Sequence, residues 1–293
     1  MGTIVHSNRV EVRAAPPPRP HAGRPPQPVP WWLYPQVLSL DAPAIAVAWQ
    51  WLFAKAFDVA ITPWVLVVTA SCVWMIYCAD HVLDVRGGAI YSARHRFVER
   101  HFRKFVAAFG IVFAAGAVAS SRLSAAIWCG GVGVTAVVCL YALVVHAGGD
   151  RVRRYWPKEF VIATVFAAGS SVATWTAGET SQRAWPAIAL FAALCTLNCT
   201  AVDCWEWEAN RVISRYPHRF TRWVARHFEA VAILVMTCAV LDAWSSPNRA
   251  VLAILGSTVL LIAIGRVRTS VSPEAARLLA DVALLTPLLF LLR

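Results

Sequence analysis

Charge is scarce in this chain. Only 15% of its 293 residues are charged while 58% are hydrophobic, a balance that excludes an ordinary soluble domain. The first 30 residues lack any apolar core of the signal-peptide kind and instead carry eight prolines and four arginines. Residues 1–32 therefore read as a disordered Pro/Arg-rich cytosolic tail, with "WWLY" from Trp31 as an interfacial anchor. The eight cysteines form no CxxC pair and no zinc-like spacing, which excludes the common zinc and dithiol motifs and leaves reduced thiols within apolar spans. Cys195 and Cys199 share a helical face, but no His or third thiol completes a metal set there.

Long apolar runs are what the chain has in quantity. Nine of them, roughly 37–56, 60–79, 104–120, 124–146, 158–177, 185–204, 227–244, 250–265 and 274–292, are each long enough to cross a bilayer. The expectation is one all-α domain over 33–293 with nine transmembrane helices. A net charge of +11 would point to nucleic acid in a soluble protein. Here the basic residues collect in alternate connections: after the second span (Arg86 to Lys104), the fourth (Arg151 to Lys158), the sixth (Arg211 to Arg226) and the eighth (Arg266 to Arg277). That alternation predicts a multi-pass membrane protein with a cytoplasmic N-terminus, the C-terminus on the opposite side, and no nucleic-acid partner.

An internal repeat is visible as well. "HRFVERHF" at His95 resembles "HRFTRWVARHF" at His218, and an offset of 123 residues carries the first tract onto the second and Asp80 onto Asp203. It also brings the second, third and fourth spans onto the sixth, seventh and eighth. Duplication of a four-helix unit, with one extra helix, follows from that match.

Both spans related in this way end in acids. In "MIYCADHVLDVRGG", Asp80 and Asp84 lie one turn apart on a face, and two close carboxylates repel unless a cation neutralises them. In "LNCTAVDCWEWEAN", Asp203 and Glu206 lie about 60° apart with Asn198 on the flank of the same arc, and Glu208 points elsewhere. A divalent ion such as Mg2+, which takes one or two carboxylates and completes its shell with water and phosphate oxygens, suits them. A solvated helix end with salt bridges to Arg86 and His81 is the plain alternative. Arg94, Arg96, Arg153, Arg154 and Lys158 surround the acids and offer clamps for diphosphate oxygens. Two acid sets and a ring of cations above an apolar chamber suit a substrate with a diphosphate head and a hydrocarbon tail.

Spans of this number, a two-fold four-helix repeat and acidic motifs after the second and sixth spans resemble the UbiA superfamily of intramembrane prenyltransferases. Its first motif is NDxxDxxxD; Asp80 and Asp84 match the last two acids, with Ile76 and Tyr77 where the Asn and first Asp would stand. Its second is of DxxxD type; Asp203 matches, while Trp207 takes the i+4 place between Glu206 and Glu208. The resemblance implies a Mg2+-dependent transferase acting on an isoprenyl diphosphate and a lipophilic acceptor. Asp80, Asp84, Asp203 and Glu206 would be the catalytic and metal-binding set, with Asn198 in support. The alternative within the superfamily is a terpene cyclase, for which Trp49, Phe53, Trp74 and Tyr77 offer π faces to a carbocation. A lipid-binding protein or a transporter is the reading outside enzymes; acids gathered at one membrane face beside basic loops, rather than at the midplane, weigh against it. Asp281 faces either Arg277, one turn before it, or the chamber, and the salt bridge is the favoured expectation.

Overall fold

An apolar surrounding leaves the backbone few ways to satisfy its own amides, and the helix is the local one. The computed structural model describes residues 29–86, 93–147, 157–209 and 218–291, and among these the chain is all-helical with no strand. A 3-10 turn and α1 (Tyr34–Val37) meet α2 (Asp41–Ala56) at 73°. Then follow α3 (Pro63–Arg86), the short α4 (Ala93–Arg100), α5 (Phe102–Ser120), α6 (Ala125–Ala147), α7 (Lys158–Gly169) and α8 (Val172–Trp175). The second half holds α9 (Thr180–Ala209), the short α10 (Arg219–Arg226), α11 (Phe228–Ser245), α12 (Arg249–Val267), α13 (Pro273–Ala283) and α14 (Pro287–Leu291).

Among the described residues six helices, α3, α5, α6, α9, α11 and α12, are long and apolar enough to cross a membrane, or seven if the bent pair at α2 counts as one span. Exposed tryptophans Trp64, Trp128, Trp185 and Trp244 sit near helix ends, as interfacial anchors do. Helix α9 is the centre of the bundle, packed by α7, α8, α10, α11, α12 and α13. Its Phe191 stacks on Trp49 of α2 with ring centroids 4.1 Å apart, and Phe53 closes the same fully buried cluster. Trp49 and Phe53 are thus core packing, their faces spent on neighbouring rings. On the other side α3 packs on α2 and α5, where a Cβ on Gly116 would lie 3.1 Å from that of Ser71. Small residues at that crossing let the two helices approach closely.

The expected spans 158–177 and 274–292 are each two helices. One breaks at Ser170 and Ser171, the other between Leu284 and Thr286. A break in apolar surroundings frees backbone groups that need partners, and each break here receives one from a neighbouring helix. Trp74 of α3 donates to the carbonyl of Leu38 at the α1–α2 bend (3.0 Å). Trp49 of α2 donates to the carbonyl of Leu284 (2.8 Å). Gln50, fully buried, donates its amide nitrogen to the carbonyls of Gly169 (3.2 Å) and Ser170 (3.1 Å) and accepts from the Ala173 amide (3.2 Å), in the amide orientation that satisfies both ends. Thr286 adds a bond to the carbonyl of Ala253 (3.0 Å) and shares a 2.6 Å hydroxyl contact with Ser257.

The two basic-aromatic tracts take parallel forms. Each is an eight-residue helix, α4 or α10, followed by a histidine at a break and then a long apolar helix. His101 has φ −113°, ψ 22°, and His227 has φ −106°, ψ 25°. Val98 and Val224 are both buried. These equivalent positions are 126 residues apart, so the shared V-x-R-H-F, rather than HRF at 123, marks the structural register of the short helices. His95 lies inside α4, whereas His218 caps α10 by accepting from the Phe220 amide.

Candidate functional site

The final two turns of α9 place Asp203, Glu206 and Glu208 where α7, α10, α13 and the turn after α12 converge. Each acid meets a cation from a different segment. Lys158, the first residue of α7, reaches Asp203 Oδ1 with Nζ at 3.1 Å. Arg277 of α13 donates Nη1–H to Glu206 Oε1. Arg268, in the turn after α12, donates to Glu208 and lies over the Trp205 ring, 5.7 Å from its centroid.

Beneath Lys158 is Glu159, whose side chain is only 3% exposed. Its Oε2 accepts from the Thr221 hydroxyl of α10 at 2.7 Å, and its Oε1 lies 3.6 Å from Lys158 Nζ. A carboxylate buried to that degree is tolerated when paired and hydrogen-bonded, so Glu159 ties α7 to the short basic helix α10. Thr221→Val removes a hydrogen bond to a charged group at constant volume. It is expected to lower stability by about 2 kcal/mol, read as a reduced midpoint of thermal unfolding in detergent; an unchanged midpoint would refute the tether. Glu159 and Thr221 escaped sequence reading because a buried acid beside a loop lysine looks like an ordinary boundary charge.

A second polar group lies nearby. Gln36 of α1 donates to Asp281 Oδ2 at 3.2 Å, the Asp41 carboxyl of α2 lies against that of Asp281, and Tyr77 of α3 points within electrostatic range of both and of Cys199 and Arg277. The expected Asp281–Arg277 ion pair is therefore replaced: Arg277 turns to Glu206, and Asp281 turns to Gln36 and Asp41. Packing from α1, α2 and α9 outweighs the weak preference of an i, i+4 pair. Tyr77 lies beside this cluster, while Ile76 is exposed.

Of the residues singled out in the sequence, the structure joins Lys158 to Asp203, with Glu206 one turn further along α9 and held by Arg277. Asn198 is buried on the same helix, its Oδ1 without a hydrogen-bond partner. Asp80 is exposed on α3. The side chains of Asp84, Arg94 and Arg96, and all of Arg153 and Arg154, lie outside the described residues. The acids of the α9 end already hold chain cations, a poor fit for Mg2+ unless Lys158 and Arg277 move, and among the described residues no three His, Cys, Asp or Glu side chains come together. A groove of about 750 Å3 with an apolar lining runs between α6, α7 and α8, bordered by Gly130, Gly133, Val137, Thr164 and Trp175. Compared with known proteins, the chain matches no family model, no curated protein and no solved structure.

Proposed function

We propose that this protein is an intramembrane prenyltransferase that takes an isoprenyl diphosphate as donor and a lipophilic molecule as acceptor. The observation that carries the reading is the pairing of Lys158 and Arg277 with Asp203 and Glu206 at one end of an otherwise apolar helix. Cations held in place by acids are preorganised to receive the charge that develops on a departing diphosphate. Thr164, at the edge of the apolar groove, is six residues along α7 from Lys158, roughly 9 Å at helical rise. A head at Lys158 thus leaves its hydrocarbon tail beside an apolar wall.

In the reaction, the bond from the allylic carbon to the diphosphate oxygen breaks and the diphosphate leaves with the electron pair. Lys158 and Arg277 hold its oxygens, the apolar walls exclude water from the carbocation, and the acceptor forms the new bond as its proton passes to the released diphosphate. The same proposal takes the fifth and ninth crossings as broken helices, α7 with α8 and α13 with α14. The chain is then nine crossings, two four-helix units plus α2. Transfer is put first because two of the four aromatics that a cyclase would need for a cation, Trp49 and Phe53, are stacked in the core.

The deciding assay incubates purified protein with farnesyl, geranylgeranyl and longer diphosphates, with and without Mg2+ and a lipid extract. A prenylated lipid is the expected product. Acceptor-free hydrocarbon would make it a cyclase, and no diphosphate release under any combination would sink both enzymes. The groove gives a finer prediction. A Cβ on Gly130 would meet Thr176 Cγ2 at 2.7 Å and Trp175 Cη2 at 2.8 Å, whereas Gly133 has open space. Gly133→Leu should therefore fold and fill the groove, reducing use of the longest donors at least tenfold while farnesyl diphosphate is spared. Equal loss across all chain lengths would show that the tail lies elsewhere.

A further inference from the structure

The superfamily resemblance expects a divalent ion at both acid sets, and the α9 end departs from that. Asp203, Glu206 and Glu208 pair with Lys158, Arg277 and Arg268, drawn from three separate segments, and Lys158 also faces Glu159. The pairings differ in how readily they open. Arg277 is 23% exposed and lies beneath neighbouring helices, so displacing it from Glu206 strands a buried charge. Lys158 is 56% exposed and more easily moved, but Glu159 holds it from below at 3.6 Å. An ion that bound Asp203 at Mg2+–oxygen distance would sit next to the ammonium unless Lys158 left both carboxylates.

The same cations keep donors to spare. An ammonium carries three N–H groups and a guanidinium five. Lys158 makes one hydrogen bond, to Asp203, with Glu159 alongside, and Arg277 makes one to Glu206 while its buried Nε is without a partner. Lys158, more than half exposed, can therefore take phosphate oxygens without releasing its acids, and Arg277 can do so only through guanidinium N–H groups other than its buried Nε and the one held by Glu206. Arginine and lysine are the side chains suited to that.

We propose that the α9 end binds a diphosphate head without a divalent ion, Lys158 and Arg277 supplying there the positive charge that a metal would bring. This rests on the prenyl-diphosphate reading and names how one half of that site works. Asp203 and Glu206 are then positioning residues that aim the two cations, not metal ligands.

The test uses the full chain in nanodiscs of zwitterionic lipid. Inorganic diphosphate is titrated calorimetrically, once in chelator and once with Mn2+, and bound Mn2+ is counted from its electron paramagnetic resonance signal. Diphosphate is expected to bind in chelator, with affinity at least tenfold weaker in Lys158→Met. Asp203→Asn is expected to leave the number of Mn2+ ions per chain unchanged. Loss of one Mn2+ in Asp203→Asn, or diphosphate binding that requires Mn2+, overturns this inference and leaves the prenyl-diphosphate reading standing. No diphosphate binding with or without Mn2+ removes that reading as well. Because Arg277 is mostly buried, Arg277→Lys accompanies any neutral variant: it preserves the charge, and weakening there by less than in Lys158→Met fits a point-charge contact, whereas unchanged binding in both variants sinks the proposal. A parallel set of discs containing anionic lipid separates the two sources of phosphate. Displacement of diphosphate in that set would assign the site to a lipid headgroup and overturn the substrate assignment.

Discussion

Replacing Gln50 by leucine is expected to cost about 4 kcal/mol of stability, among the largest effects of any single substitution in this chain. The side chain serves three backbone groups at the break between α7 and α8, and leucine serves none. Ordinary interhelical hydrogen bonds within membranes contribute only about 0.6 kcal/mol each, so three of them would come to about 2 kcal/mol. Two carbonyls and an amide left without partners in an apolar interior cost roughly 1–3 kcal/mol apiece. The size of the loss decides between these accounts. Unfolding in graded detergent denaturant reads it, and a loss under about 1 kcal/mol would refute the role given to Gln50. Trp49→Phe keeps the ring stack and gives up one bond, to Leu284, so its loss should be the smaller of the two.

Lys158→Met should lower turnover by about a hundredfold, the range seen when one preorganised donor to a developing anion is removed. Lys158 is more than half exposed, but it also faces the buried Glu159, so some stability goes with it. Chemistry and folding are separated by measuring kcat per folded molecule: it falls about a hundredfold in Lys158→Met, whereas a purely structural loss would lower the folded fraction alone. Asp203→Asn should give a smaller decrease, since the cation remains and only its aim is lost. A Lys158→Met enzyme with full activity would end the assignment of that residue to the diphosphate.

The sequence made the helical class, the helices long and apolar enough to cross a membrane, and the polar end of α9 readable, because apolar length and charge position are both local properties. Lys158, Asp203 and Glu206 were singled out from spacing and topology; Lys158 meets Asp203, and Glu206 one turn on meets Arg277 instead. What spacing hid is the backbone at the two breaks. Hydropathy averages composition, and Ser170 or Thr286 barely alters that average, yet the partners that make those breaks tolerable lie more than a hundred residues away in α2. Arg277 illustrates the same limit. The local pairing rule pointed to Asp281, but the bundle brought Glu206 closer, and no rule of helical periodicity contains that information. The short helices show it again: the HRF identity suggested one register, while burial of Val98 and Val224 and the matching breaks at His101 and His227 set another.

Trp49 and Gln50 are consecutive, so on α2 their side chains diverge by about 100°. One reaches the break before α14 and the other the break before α8. Turning α2 to shorten either bond lengthens the other, and sliding it along its axis strains both. The helix is keyed like an axle at two points, which fixes its azimuth and its depth together. Any motion that opens this bundle must then carry α2, α8 and α14 as one body and hinge outside them.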